Sequence, residues 1–250
     1  MKKLFLFTLV TIIFATFGIG QTAQTNDAST SFTQKLRQKA DKIWEAGYNH
    51  PFVQGIGKGT LEKDKFQYYL LQDYLYLLQY SKVYAFGVVK AQDEKMMAYF
   101  AGMQNTILNG EMSMHRSYMK EWGITQEQIE NVEASLGNLS YTSFLLSTAA
   151  TGDVLSILVA TLPCTWTYYD YAARLKETYG KLKIMNPYQQ WINNYAQEEY
   201  GELCKQYANM IDKLAANKTP EELKALEDIF IAGMRYEVLF WETGYNKGDK

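Results

Sequence analysis

The sequence predicts an all-α protein in which one domain follows an export signal. Apolar residues recur at three- and four-residue spacing through long stretches, which is typical of amphipathic helices. The four prolines lie far apart, so these stretches are seldom interrupted. Alternating apolar and polar runs long enough for β-strands are absent from the sequence. A chain of 250 residues is long enough for one large domain with a sizeable core.

The first twenty residues predict a secretory signal peptide. Lys2 and Lys3 precede an apolar run over residues 4–19, and Gly18 and Gly20 occupy the −3 and −1 positions of a cleavage site. The run is short for a membrane span, and an uncleaved anchor is the alternative. We therefore predict export to the periplasm or secretion. The predicted units are a signal peptide over residues 1–20, a polar linker over 21–31 and a helical domain over 32–250.

Helix start signals support eight predicted helices. Thr219, Pro220 and Glu222 supply an N-cap, a first-turn proline and the acid of a capping box. Thr125 with Gln128 indicates a weaker start of the same kind. The predicted helices span residues 33–47, 62–90, 93–122, 125–134, 139–150, 153–180, 187–215 and 219–245.

Gly55, Gly57 and Gly59 lie in the first long connection between predicted helices. Their spacing is similar to that of a dinucleotide-binding loop. Such a loop follows a strand within a βαβ unit, however, and no strand pattern precedes these glycines. We therefore predict a turn at this point.

Charge and cysteine content exclude two classes of protein. Without Lys2 and Lys3, the chain carries 23 Lys and Arg against 27 Asp and Glu side chains, a net charge of −4. Affinity for a phosphate backbone comes from basic side chains, so we expect no nucleic-acid partner. Cys164 and Cys204 are the only cysteines, too few for a disulfide scaffold in an exported protein.

Two carboxylates fall on aromatic helix faces. Asp73 shares a face with Tyr69 and Tyr76, and Glu237 lies among aromatic residues that include Trp241. Burying a carboxylate costs several kcal/mol unless a partner or a ligand satisfies it. Desolvation would raise the pKa of Glu237 and favour its protonated form, which can act as an acid. The alternative for each carboxylate is an ordinary satisfied polar group in the core.

Cys164 lies on a third aromatic helix face, directly after Pro163, where a kink is expected. A shared core would bring the three faces together, which predicts an aromatic pocket holding a nucleophile and two carboxylates. Tyr141 and Tyr195 could add rings and hydroxyls that suit a flat, polar heteroaromatic ligand. A buried cysteine that acts only as a small hydrophobic residue is the alternative for Cys164, and this interpretation is applied to Cys204. Core packing is the alternative for each tyrosine.

We expect no metal ion. His50 and His115 are the only histidines, and the two Glu-x-x-His motifs of a di-iron bundle are absent. Glu111 and His115 are four residues apart and could share a helix face. One such pair does not make a metal site, so we interpret it as a contact on a helix surface or a packing contact.

Several ordered segments match a known pattern. They are HPFVQGIG at 50–57, GTL at 59–61, YLLQD at 69–73, LPCTWTYY at 162–169, and YE at 236–237 with FW at 240–241. Together they resemble the TenA, or thiaminase II, family over residues 32–245. The resemblance implies a haem-oxygenase-like helical bundle without haem or another cofactor, usually a homotetramer. It also implies thiamin salvage by hydrolysis at the aminopyrimidine moiety of thiamin or its degradation products, for example aminomethylpyrimidine to hydroxymethylpyrimidine.

The resemblance also implies roles for individual residues. Cys164 would add to a carbon of the pyrimidine ring, Glu237 would protonate the ring nitrogen, and Asp73 would bind the exocyclic amino group and the neighbouring nitrogen. This chemistry predicts a lowered pKa for the thiol of Cys164. The residues expected to line the pocket are Tyr76, Tyr141, Tyr168 and Tyr195.

Two other functions fit parts of the sequence. The first is an exported protein on the same scaffold that binds pyrimidines without turnover, which would need no thiol. The second is a haem or di-iron oxidase on a related bundle. Family members are usually cytoplasmic, whereas the export signal here predicts scavenging of external thiamin fragments. We expect a small pyrimidine substrate, and no membrane partner after signal cleavage.

Overall fold

Twelve α-helices and one π-helical turn form the protein in a computed structural model that describes residues 30–181 and 185–248. These two ranges contain no β-strand, so the predicted all-α class is confirmed. The signal peptide and most of the linker predicted from the sequence lie outside the described residues. The α-helices, numbered α1 to α12, are Phe32–Lys39, Asp41–Tyr48, Pro51–Lys58, Lys63–Lys90, Glu94–Asn105, Met112–Glu121, Gln126–Asn131, Leu136–Thr151, Val154–Tyr179, Gln189–Tyr195, Glu198–Ala215 and Pro220–Asn246, and the π turn is Thr106–Glu111.

The predicted start of the last helix is confirmed. Thr219 accepts a hydrogen bond from the backbone N–H of Glu222, and the carboxylate of Glu222 accepts one from the backbone N–H of Thr219. Two orphan donors of the first turn are thereby satisfied. Thr125 and Gln128 make the same reciprocal pair at α7. Local capping chemistry is therefore a reliable part of the sequence prediction here.

The predicted turn at Gly55 and Gly57 is wrong, because both residues are helical in α3. These glycines are needed for close packing. A methyl group on Gly55 would lie 3.0 Å from the Cβ of Leu61, and one on Gly57 would lie 2.5 Å from a methyl carbon of Leu175. Only Gly59, at φ +71°, ends the helix in the left-handed region that favours glycine.

Three predicted helices are interrupted. The first is divided at Ala40 into α1 and α2, and the third contains the π turn. The seventh is broken at Gln197, which adopts an extended backbone (φ −77°, ψ 144°) between α10 and α11. The break ends α10 at Tyr195, and both α10 and α11 pack against α9.

The three longest helices, α4, α9 and α12, pack on one another at the centre of the bundle. Gly233 on α12 permits a close approach to α9, since a methyl group there would lie 2.8 Å from the Cγ of Pro163. Helix α9 continues through Pro163, and a kink there stays a prediction. Cys164 follows Pro163 and Glu237 lies one turn after Gly233, so this contact brings both residues to the same level of the bundle.

A cluster of buried rings fills the core next to that level. The ring of Trp241 stacks on Phe52 at 5.6 Å and on Tyr69 at 5.8 Å, and it contacts Tyr168 at 5.2 Å. Rings at these separations contribute packing energy beyond the area they bury, and their few rotatable bonds make the wall rigid. None of the described helices has both the length and the apolar character of a membrane span.

Candidate active site

A cavity of about 530 Å³, counting its open mouth, lies among α4, α5, the π turn, α9 and α11. Four of the seven predicted site residues line it, namely Asp73, Tyr76, Cys164 and Tyr168. Beyond them the cavity extends to an end that is mostly apolar and aromatic. That end is lined by Leu77, Tyr80, Tyr84, Met103, Ile107 and Leu203.

Glu237, Tyr141 and Tyr195 do not line this cavity but contact the residues that do. Tyr141 donates a hydrogen bond of 2.5 Å to Oε1 of Glu237, and its ring lies 5.1 Å from that of Tyr76. Tyr195 packs its ring 4.9 Å from that of Tyr168. The structure therefore brings all seven predicted residues into one connected group.

The thiol of Cys164 is partly accessible, because it faces the cavity. Burial raises the pKa of this thiol well above its usual range, and the nearby carboxylates of Glu237, Glu111 and Asp73 raise it further. The lowered pKa predicted from the sequence is therefore wrong for the unliganded protein. Negative neighbours and a dry environment both favour the neutral thiol.

Glu237 is 2% exposed, and burial raises its pKa to about 8. The hydrogen bond from Tyr141 acts in the opposite direction, since it stabilises the carboxylate. The expectation that desolvation favours the protonated form is confirmed. At neutral pH Glu237 is therefore predominantly a neutral carboxylic acid, able to give a proton to a base.

The ion-pair partner of Asp73 is His115, a residue that was not assigned to the site from the sequence. Nε2 of His115 lies 2.9 Å from Oδ2 of Asp73, and Tyr69 donates a hydrogen bond of 3.3 Å to the same oxygen. The two members of the pair are 2% and 3% exposed. A buried carboxylate needs such compensation, as the sequence analysis argued.

Glu111 and His115 were interpreted as a helix-surface or a packing contact, and the helix-surface alternative is wrong. Glu111 lines the cavity and accepts a hydrogen bond of 3.0 Å from Tyr195, while His115 is buried beside Asp73. The π turn ends at Glu111, and its wider winding changes which side chains of a regular helix face inward. One feature of the sequence indicated this placement. The hydrophobic residues Met112 and Tyr118 flank His115 at helical spacing, and both are buried in the structure.

The hydroxyl of Tyr76 is buried near Cys164 and makes no hydrogen bond of normal geometry within the described chain. Buried hydroxyls almost always have a partner, so an unsatisfied one at a cavity wall points to a polar ligand atom. Tyr168 differs, since its hydroxyl lies 3.3 Å from that of Tyr69. The cavity wall thus includes aromatic faces, the unsatisfied hydroxyl of Tyr76, the carboxylates of Asp73 and Glu111, and a thiol.

The donor set does not suit a metal ion. Within residues 30–181 and 185–248, no three His, Cys, Asp or Glu side chains are arranged to hold one.

The two free cysteines differ in their surroundings. Cys164 lines the cavity, whereas Cys204 is buried and donates its S–H to the carbonyl of Thr165 at 3.4 Å.

Residues 37–247 match the TENA/THI-4/PQQC family, and the chain therefore belongs to this family. The chain is 44% identical over 218 residues to an aminopyrimidine aminohydrolase of Halalkalibacterium halodurans, a match that covers 87% of this chain and 96% of that protein. It is 42% identical over 213 residues to an aminopyrimidine aminohydrolase of Helicobacter pylori, covering 85% and 98%. The resemblance read from the sequence is confirmed.

Solved structures give the same result for the fold. A TenA homologue from P. horikoshii superposes with a TM-score of 0.81 at 30% identity, covering 87% of this chain and all of that one. A haem-oxygenase-like domain from Shewanella denitrificans superposes at 0.70 with 16% identity, covering 86% and 92%, which shows the fold alone. The predicted haem-oxygenase-like bundle is confirmed.

Proposed function

We propose that this protein is an aminopyrimidine aminohydrolase, or thiaminase II, that acts in thiamin salvage. It hydrolyses the aminopyrimidine moiety of thiamin or of its degradation products, converting aminomethylpyrimidine to hydroxymethylpyrimidine and ammonia. One observation carries the proposal: a cavity thiol stands beside two carboxylates of different character. Asp73 is paired with a histidine, whereas Glu237 holds a proton to about pH 8. The relatives that bear this enzyme name are 34–44% identical to the chain.

The cavity suits binding of an aminopyrimidine. Such a ring is flat and polar, and the side chains of Tyr76 and Tyr168 line the cavity with rings for stacking and hydroxyls for hydrogen bonding. Asp73 accepts hydrogen bonds from the exocyclic amino group, and hydrogen bonds to a charged acceptor are about twice as strong as neutral ones. Asp73, Tyr76 and Tyr168 therefore fix the orientation of the ring before the thiol adds.

The reaction uses Glu237 as a proton shuttle. Glu237 gives its proton to the ring nitrogen, which makes a ring carbon electrophilic, and Cys164 forms an S–C bond there. The carboxylate left on Glu237 takes the proton of the thiol. A thiol with a raised pKa is therefore compatible with covalent catalysis, because its proton leaves only as the ring gains one.

The second half of the reaction exchanges the leaving group. The electrons of the adduct expel the amino group, which takes a proton from Glu237 and departs as ammonia. Water adds to the methylene carbon and returns its proton to Glu237. The S–C bond then breaks, and the sulfur recovers a proton from the ring nitrogen. In sum, aminomethylpyrimidine and water become hydroxymethylpyrimidine and ammonia. Two easier steps replace one difficult substitution.

The experiment is an assay of the purified mature protein with aminomethylpyrimidine and, separately, with thiamin. We expect hydroxymethylpyrimidine in both cases, with ammonia released from the first substrate. Calorimetry with the same compounds measures binding. Binding of both compounds without turnover would contradict the enzyme and favour a pyrimidine-binding protein. Intact-protein mass spectrometry during turnover would detect the covalent adduct on Cys164, and complete absence of the adduct with slow substrates would contradict the nucleophile.

We also propose that the protein is exported, to the periplasm or the medium, and acts there as a homotetramer on external thiamin fragments. Lys2, Lys3 and the apolar run over residues 4–19 support export. The homotetramer is what the resemblance to the family implies. Cell fractionation with analysis of the mature N-terminus tests export, and light scattering tests the assembly. A protein that is retained inside the cell with an intact Met1, or a monomer, would contradict the respective proposal.

A further inference from the structure

His115 is buried beside Asp73 of the cavity wall, although the proposed reaction gives it no part. It belongs to α6, and its ring is 2% exposed. Nε2 lies 2.9 Å from Oδ2 of Asp73, an ion-pair distance, but neither Nε2 nor Nδ1 makes a hydrogen bond of normal geometry within the described chain. Placing an imidazole in the core without full hydrogen bonding carries a cost in stability. A compensating role is therefore expected for this side chain.

The groups that face His115 are acidic. Asp73 faces it from α4, and Glu111 faces it from the π turn one helical turn earlier. Tyr69 donates a hydrogen bond to Asp73, and Tyr195 on α10 donates one to Glu111, so both carboxylates are held in place. The only basic group within this set is the imidazole itself.

Burial by itself would lower the pKa of His115, but Asp73 and Glu111 outweigh burial, so the pKa is raised above the usual value. The two carboxylates therefore favour the protonated ring. Burial likewise raises the pKa of Glu111, and the charge of His115 opposes that rise. The pair formed by His115 and Asp73 persists below the raised pKa of His115 and is lost as the pH rises through it.

The cavity needs this cation because three carboxylates surround one thiol. Asp73, Glu111 and Glu237 each act electrostatically on Cys164. Like charges gathered in a dry site repel one another, and a nearby cation offsets that repulsion. A positive charge next to Asp73, and not next to Glu237, allows Asp73 to act as a hydrogen-bond acceptor while Glu237 acts as the acid.

We propose that His115 is a positioning residue, which holds Asp73 as a charged and oriented acceptor for the exocyclic amino group of the substrate. The kinetic part of this inference rests on the proposed function. The part that concerns the charge of His115 in the free protein does not.

The kinetic test compares His115→Gln with His50→Gln. His50 is a matched control, since its Nε2 also lies 2.9 Å from a carboxylate, that of Glu242, but this partner is 55% exposed and away from the cavity. We expect His115→Gln to raise KM for aminomethylpyrimidine about 10- to 100-fold and to change kcat less than about threefold. We expect His50→Gln to change both by less than about twofold. A loss confined to kcat, or equal losses in the two variants, would overturn the proposal.

The second test is an NMR titration of the histidine rings in the free protein, with His115→Gln for assignment. We expect His115 to lose its proton above the ordinary range, and at lower pH in Asp73→Asn, where the anionic partner is gone. Hydroxymethylpyrimidine should move the ring signals of His115 and leave those of His50 in place. A His115 that titrates at or below the ordinary range, or that does not respond to the ligand, would overturn the proposal even if His115→Gln fails to fold. Absence of turnover in the wild type would instead contradict the proposed function and leave the titration decisive for the charge.

Discussion

The chain carries two cysteines and two histidines, and one residue of each kind lies at the cavity while the other lies elsewhere. Cys204 is 4% exposed in packed core, and burial raises the pKa of its thiol to about 12. Cys164 also has a raised pKa, but three carboxylates contribute to it. Similarly, His50 faces a carboxylate in contact with water, whereas His115 faces two at the cavity. The residue type is thus the same within each pair, and the convergence of charged neighbours distinguishes the residue near the cavity from the other one.

The largest expected effect tests the two cysteines. Cys164→Ala removes the nucleophile and should lower kcat by at least about a thousandfold while binding of hydroxymethylpyrimidine is retained. Cys204→Ala removes only a small buried side chain and should leave kcat and KM within about twofold, at a stability cost of about 1 kcal/mol. Steady-state kinetics, calorimetry and urea unfolding measure these quantities. Equal losses of activity in the two variants would remove the contrast between the cavity and the packed core.

The next effect concerns the acid. Glu237→Gln cannot donate a proton to the ring and should lower kcat about 100- to 1000-fold, because general acid–base catalysis contributes on that scale. Binding of hydroxymethylpyrimidine should weaken far less, since Asp73 and the rings of the cavity remain. A parallel loss of binding and turnover would show that Glu237 serves in recognition and not in chemistry.

Tyr141→Phe should have a smaller effect on the rate, and it should also shift the pH dependence of the reaction in a defined direction. The lost hydrogen bond stabilised the carboxylate of Glu237, so the pKa of Glu237 should rise and the alkaline limb of the kcat/KM profile should move to higher pH. The rate at pH 7 should fall about tenfold through loss of orientation. Tyr171→Phe is the control, because it removes an equally buried hydroxyl that binds the carbonyl of Trp44 at 2.8 Å. An alkaline limb that moves to lower pH would contradict the assignment.

The last expected effect is on stability, and it tests the buried acid Glu237 without any substrate. Glu237 keeps its proton in the folded state to about pH 8 but ionises near pH 4.5 when unfolded, so the folded state binds more protons between these values. Its contribution to the free energy of unfolding should fall by roughly 1.4 kcal/mol per pH unit over that window. Glu237→Gln should abolish this contribution and be more stable than the wild type at pH 8. Urea unfolding at pH 5 and pH 8 measures the difference, and a variant with the wild-type slope would be inconsistent with a buried neutral acid.

Much of the local structure could be predicted from the sequence, because local structure depends on local chemistry. The capping box at Thr219 and Glu222 needs only residues close in the chain, and it forms as expected. Gly55 and Gly57 show the limit of this approach. A glycine required for a turn and a glycine required for close packing look the same in the sequence, and only the position of Leu61 and Leu175 distinguishes them.

The candidate site was predicted in part. Asp73, Cys164 and Glu237 were identified because each interrupts an apolar helix face, and such a face must be buried. Glu111 and His115 were not assigned to the site from the sequence. The predicted regular helix contains a π turn there, and the sequence pattern did not indicate that turn. The export signal stays a prediction, since it rests on residues outside the described chain.

The sequence alone accounts for the helical class, the family and the three reactive side chains, since periodicity and ordered motifs are properties of the chain itself. Tertiary packing alone settles which groups carry charge. The proton on Glu237, the neutral thiol of Cys164 and the raised pKa of His115 all depend on neighbours from other helices. The physical reason is that ionisation responds to solvent exclusion and to charges a few ångströms away, and distance in space is not encoded by distance along the chain.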